Sequence, residues 1–97
     1  MNKKLILATE AEEDLVRLRE FLYRQALSMK VVQRFDYELD VALNDIVDFP
    51  ESSPFAEDRE PIRKKIQWKY LFFYVELTDV ITILRIFHQK EDWVESL

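Results

Sequence analysis

IRKKIQWKYLFFYVELTDVITILRIFH, residues 62–88, sets the architecture of this chain. Alternation with period two divides it into three strands, Ile62–Trp68, Tyr70–Glu76 and Val80–Phe87, with Leu77, Thr78 and Asp79 as the turn between the last two. Side chains alternate across a pleat, so Arg63, Lys65, Gln67 and Lys69 point one way while Ile62, Ile66 and Trp68 point the other. A tight turn at Thr78–Asp79 places Phe73 opposite Leu84, Leu71 opposite Ile86 and Val75 opposite Thr82. That face is expected to be the core. The other face then carries Tyr70, Phe72 and Tyr74 with Ile81, Ile83, Arg85 and Phe87, and is expected to lie open.

Upstream, Lys4–Ala8 (KLILA) is an apolar run that adds a strand to this sheet. Thr9 followed by Glu12 reads as a capping box, and Glu10, Glu12, Glu13 and Asp14 put negative charge where the helix dipole favours it. Ala11, Leu15, Leu18, Leu22 and Ala26 then form one apolar stripe. After Ser28, the cap-like residue of the junction, a second stripe runs through Val32, Phe35, Leu39, Ala42, Leu43, Ile46 and Phe49. Pro50 stops it, and ESSPFAEDREP, residues 51–61, reads as an irregular connection. The tail QKEDWVESL offers Trp93, Val94 and Leu97 to the sheet or to a partner. The order is β-α-α-β-β-β in one domain, residues 1–97. The fold class is α+β, a two-layer sandwich with a helical hairpin on one face of a small, mainly antiparallel sheet.

Composition narrows the chemistry. A 97-residue domain has a single core and a stability on the order of ~5–10 kcal/mol. With no cysteine and one histidine, no disulfide, thiolate site or histidine-based metal cluster is expected. The absence of glycine speaks against phosphate-cradling loops, so no cofactor is expected. No apolar run spans a bilayer and Met1–Thr9 is too short for a signal peptide, which predicts a cytoplasmic protein. The net charge of −5 is uneven: residues 36–60 hold nine acids and one base, whereas residues 62–90 hold six bases and two acids. Bulk nucleic-acid affinity is therefore not expected, and room is left for a local basic site or a basic protein partner.

Several features taken together resemble the RelE/ParE family of bacterial type II toxin–antitoxin toxins. They are the apolar strand leading into a helix with Asp14-Leu15 near its start, the Phe49-Pro50 stop, Ile62-Arg63, the aromatic run Tyr70–Tyr74, and ILRIFHQ at Ile83–Gln89. The Leu84–Gln89 ending is more similar to the ParE branch. That branch implies plasmid stabilisation, poisoning of DNA gyrase and neutralisation by a cognate antitoxin. The RelE branch implies ribosome-dependent cleavage of messenger RNA. Leu71 stands where RelE-like proteins resemble one another in carrying arginine, and their C-terminal tyrosine is missing.

Each candidate residue has a plain reading beside the functional one. Arg85 is a cation presented from a rigid strand, or a framework residue whose guanidinium reaches an acid. Arg63, Lys64, Lys65 and Lys69 grip an anionic partner, or are a solvated face. His88 has a pKa suited to proton transfer, yet a lone histidine at a strand end is usually a hydrogen-bonded framework residue. A ribonuclease would use Arg63, Lys65, Arg85 and His88. A partner-binding toxin would use Arg63, Lys65, Tyr70, Phe72, Tyr74, Ile83, Arg85, Phe87 and Trp93, the apolar members forming a patch that calls for a cover. The cover implied by the resemblance is the antitoxin; a homodimer through the same face and the Trp93 tail are its rivals. A third reading is a non-toxic family member that only binds a partner. The acids of residues 36–60 are the wet face of the second helix or a site for a basic partner.

Overall fold

The computed structural model describes residues 3–25 and 28–97. Its elements run β1 (Lys4–Leu7), α1 (Thr9–Gln25), α2 (Met29–Asp48), β2 (Arg63–Gln67), β3 (Tyr70–Glu76) and β4 (Val80–His88). The sheet order is β1-β4-β3-β2, with β1 parallel to β4 and the other pairs antiparallel. This is the expected α+β order. The first strand does join the sheet formed later in the chain, with Lys4 opposite Val80 and Leu7 opposite Ile83.

Local chemistry accounts for most boundaries. The Ser28 hydroxyl accepts from Lys30 N at 3.3 Å and caps α2, which ends where Phe49 N donates to the Asp45 carbonyl ahead of Pro50. The first turn of α1 closes on the Ala8 carbonyl, so the helix starts one residue earlier than a Thr9 cap requires. Ala26, expected to end the first stripe, lies outside the described residues. β2 and β3 are joined through Trp68 and Lys69 alone. In a chain without glycine, Trp68 itself takes the left-handed backbone, at φ 56°, against a cost on the order of ~1 kcal/mol. Its indole is held by Arg34 at 4.7 Å and Tyr70 at 5.9 Å.

The helices cover the opposite sheet face from the one expected. Tyr70, Phe72 and Tyr74 with Ile81, Ile83 and Ile86 form the main core against Ala11, Leu18, Phe35, Leu39, Ala42 and Ile46. Tyr70, Phe72, Tyr74 and Ile83, taken from sequence as members of an open face, are therefore buried. A register shift contributes to the difference. Tyr74 pairs with Ile83 but Phe73 pairs with Arg85, so Leu84 is an extra residue and the faces of β4 exchange beyond it. Ile86 thereby joins Phe72, and Phe87 leaves it. Both faces of β3 and β4 are apolar, so alternation alone does not say which one meets the helices. The inward pair on β1 does, because Leu5 and Leu7 stand in register with Ile81 and Ile83.

The second face is covered over its centre as well, while Ile6 and Ile66 toward its margins stay exposed. Leu71, Phe73 and Phe87 pack with Ala56 and Ile62 of the irregular connection and with Trp93 and Leu97 of the tail. Trp93 lies 4.9 Å from Phe73, with Arg59 and Lys64 over its ring, and Arg59 Nη2 donates to the Val94 carbonyl at 2.7 Å. The tail is thus the cover of the outer face.

Because both faces are covered, adjacent residues of one strand are equally buried. Phe72→Ala and Phe73→Ala should each destabilise the domain by about 3–5 kcal/mol in urea titrations. If one face were open, one of the two would cost far less.

Candidate functional site

β1 ends at Leu7 while β4 continues to His88, which leaves the far half of one β4 edge without a neighbouring strand. Side chains fill that edge. The Asp14 carboxylate, only 3 % exposed, accepts from Ile86 N at 2.9 Å, from Arg85 Nε and Nη2 at 2.8 and 3.0 Å, and from Arg17 Nη2 at 3.1 Å. Arg17 also donates to Glu91, whose Oε1 accepts from His88 N at 2.8 Å. Burial pushes the Asp14 carboxyl up, and the Arg85, Ile86 and Arg17 donors together outweigh it, leaving its pKa below 3.8. The remaining Arg85 nitrogen donates to the Ser96 carbonyl at 3.1 Å, and its guanidinium stacks on Phe87. All three Arg85 guanidinium nitrogens are engaged by the framework, and the acid it reaches is Asp14. Its side chain also lines a shallow pocket of about 260 Å³ with Glu10, Leu84 and Leu97.

The other expected cations are engaged and far apart. Arg63 donates to the Ser53 carbonyl at 2.7 Å and lies 4.1 Å over the Phe55 ring. Lys65 reaches Asp45 of α2 at 3.5 Å, and Gln67 donates to Glu38 of α2 at 2.6 Å. Acids of residues 36–60 therefore meet a basic strand of their own chain. Arg63 pairs with Tyr74 and His88 with Tyr70, four residues apart on β3, a separation of roughly 13 Å along the strands. Lys90 N donates to His88 Nδ1 at 3.1 Å, so the neutral ring carries its proton on Nε2. Burial pushes the His88 pKa down, with Lys90 and Lys69 acting in the same direction and Glu91 against it. Among the described residues no group of three or more acids, histidines or cysteines could hold a metal.

An apolar opening lies elsewhere, between the second half of α1, the start of α2 and the ends of β3 and β4. It is a cleft of about 610 Å³. Leu18, Phe21, Leu22, Val31, Trp68 and Tyr70 form its apolar wall, and Arg17, Lys69, His88, Lys90 and Glu91 its charged rim. Phe21 is 58 % and Val31 39 % exposed, so two apolar side chains stand at its mouth. Of the residues expected at a partner site, the cleft takes in Tyr70 alone, and His88, expected only for a ribonuclease, stands at its rim. Phe72, Tyr74 and Ile83 lie under the helices, Phe87 and Trp93 in the outer layer. The sequence did hold a sign of this site: Phe21 falls beside the Leu15–Leu18–Leu22 stripe, and Val31 just ahead of Val32.

The molecule is thus a helical hairpin laid on a short mixed sheet, with a cleft at its end. The chain matches the family model of the ParE toxin of the type II toxin–antitoxin system, parDE, over residues 5–93, and belongs to that family. No curated protein matches it. Among solved structures it is similar to the chromosomal ParDE TA system from P. aeruginosa, with a TM-score of 0.75 at 13 % identity, covering 89 % of this chain and 95 % of that one. At that identity the likeness is one of fold.

Asp14→Ala should destabilise the domain by about 3–5 kcal/mol, since it leaves the Arg85 cation and the Ile86 amide without their acceptor. The folded pKa of Asp14 is lowered, so its stabilisation is present above pH ~4 and lost as pH falls through the folded value. Urea titrations below pH ~4 should show a shallower acid loss in the variant than in the parent.

Proposed function

We propose that this ParE-family toxin acts in the cytoplasm by binding a target enzyme, DNA gyrase being the one its family resemblance implies. We further infer that a cognate antitoxin neutralises it by laying an amphipathic segment into the cleft beside Phe21. The observation that carries this reading is the cleft: an apolar wall exposed at Phe21 and Val31, bordered by Arg17, Lys69 and Lys90. Such a groove suits a helix or extended segment with apolar anchors and a few carboxylates. The cations a ribonuclease would use support binding better than cleavage. Arg85 is tied to Asp14, Arg63 lies at the far end of the sheet, and His88 Nδ1 already accepts a backbone hydrogen bond.

Expression without the antitoxin tests the target. Growth arrest with DNA damage and intact messages is expected, and cleavage of messages on ribosomes would overturn the proposal. The cleft is tested by titrating the antitoxin encoded beside the toxin against Phe21→Asp. This exposed position should tolerate the change with little shift in melting temperature, while affinity falls at least about tenfold, or ~1.4 kcal/mol. Unchanged affinity would move the antitoxin to another surface.

A further inference from the structure

The two outer strands of the sheet are treated differently. The outer side of β2 is met by the irregular connection, where Lys64 N donates to the Pro54 carbonyl at 2.9 Å and Phe55 bridges to Arg63. β1, in contrast, pairs with β4 alone among the described residues. Within that parallel ladder Lys4 N and Ala8 N donate to the Asp79 and Ile83 carbonyls, at 3.3 and 2.9 Å. Ile6 shares their parity, so the N–H and C=O groups of Leu5 and Leu7 point outward. An edge of this kind pairs readily with a further strand.

We propose that β1 is a two-fold interface with a second copy of this chain. The two β1 strands run antiparallel, Leu5 of each opposite Leu7 of the other, and the two sheets become one of eight strands. The argument is self-complementarity. In this register the outward groups of both leucines form four hydrogen bonds, and every facing pair within β1 is apolar. Ile6, 40 % exposed on the outer face, meets Ile6 of the second copy on the symmetry axis. Lys4 comes opposite Ala8 of the second copy, beside the acidic start of its α1 at Glu10 and Glu12. Of the two alternative two-fold registers, Leu5 on Leu5 sets Lys4 against Ile6, and Leu7 on Leu7 sets Leu5 against Thr9 of α1, so each forfeits the apolar match. α1 packs chiefly over β4 and only marginally over β1, so it leaves this edge accessible.

Sedimentation of the isolated chain from about 1 to about 200 µM should show a mass rising from 11.8 kDa towards twice that value. Ile6→Lys should weaken the association at least tenfold with the thermal melt unchanged. Ile6→Cys introduces the sole thiol of a cysteine-free chain. Facing residues of a non-hydrogen-bonded antiparallel pair stand within disulfide reach, so mild oxidation should cross-link this variant quickly. Val16→Cys, on the exposed side of α1, should stay monomeric under the same conditions. A chain that is monomeric throughout, a dimer that survives Ile6→Lys, or cross-linking at position 6 no faster than at position 16 would each overturn the proposal. Because no antitoxin or gyrase is present, none of these outcomes bears on the proposed toxin mechanism.

Discussion

A single carboxylate stands in for a missing stretch of strand. β4 is longer than its parallel neighbour, and the backbone beyond Leu7 has no ladder to join on that side. An unpaired amide at this depth costs on the order of ~1–3 kcal/mol. Asp14 removes that cost for Ile86 and, through Arg85 and Arg17, ties α1 to the sheet and the sheet to the C-terminal tail. One buried charge with four donors thus sets where the helix lies, how far the sheet extends and where Arg85 points. Asp14-Leu15 was one of the features by which the sequence resembles its family, and its role is structural.

Charge is arranged in the same economical way. The acids of α2 and the bases of β2 lie in adjacent layers, so Lys65 meets Asp45, Gln67 meets Glu38, and Arg34 joins Glu38 from within α2. The uneven charge along the chain records this internal pairing before it records any partner. Three cations, Arg17, Lys69 and Lys90, stand at the rim of the cleft with Glu91, and of these Arg17 is paired with Asp14 and Glu91.

Element order, the stripes from Ala11 to Leu22 and from Val32 to Ile46, the Ser28 cap and the Phe49-Pro50 stop were legible in the sequence because each depends on a local period or a local cap. Phe49, expected to close the second stripe, is instead the exposed C-cap of α2. Which face of β3 met the helices was not legible. Tyr70, Phe72 and Tyr74 alternate with Leu71, Phe73 and Val75, and both sets are apolar, so the pattern carries no sign. A one-residue bulge at Leu84 then exchanges the faces within β4, and no glycine or proline marks it. The candidate site was missed for a related reason. It is assembled from the flanks of stripes, Phe21 and Val31, and from a two-residue turn taken by Trp68, none of which follows a period.

The pairing of β1 with β4 has a kinetic side. Lys3 and Glu76, and Asp14 and Arg85, are 73 and 71 residues apart, whereas the helical hairpin and the β3–β4 hairpin close over short loops. Long-range closure forfeits the most chain entropy, so sequence separation favours early formation of the local hairpins and late docking of the N-terminal strand. Contacts that form after the transition state govern the unfolding rate rather than the folding rate. The Asp14 cluster and β1 therefore act as the latch of the domain: they close late, and while they hold they set its lifetime.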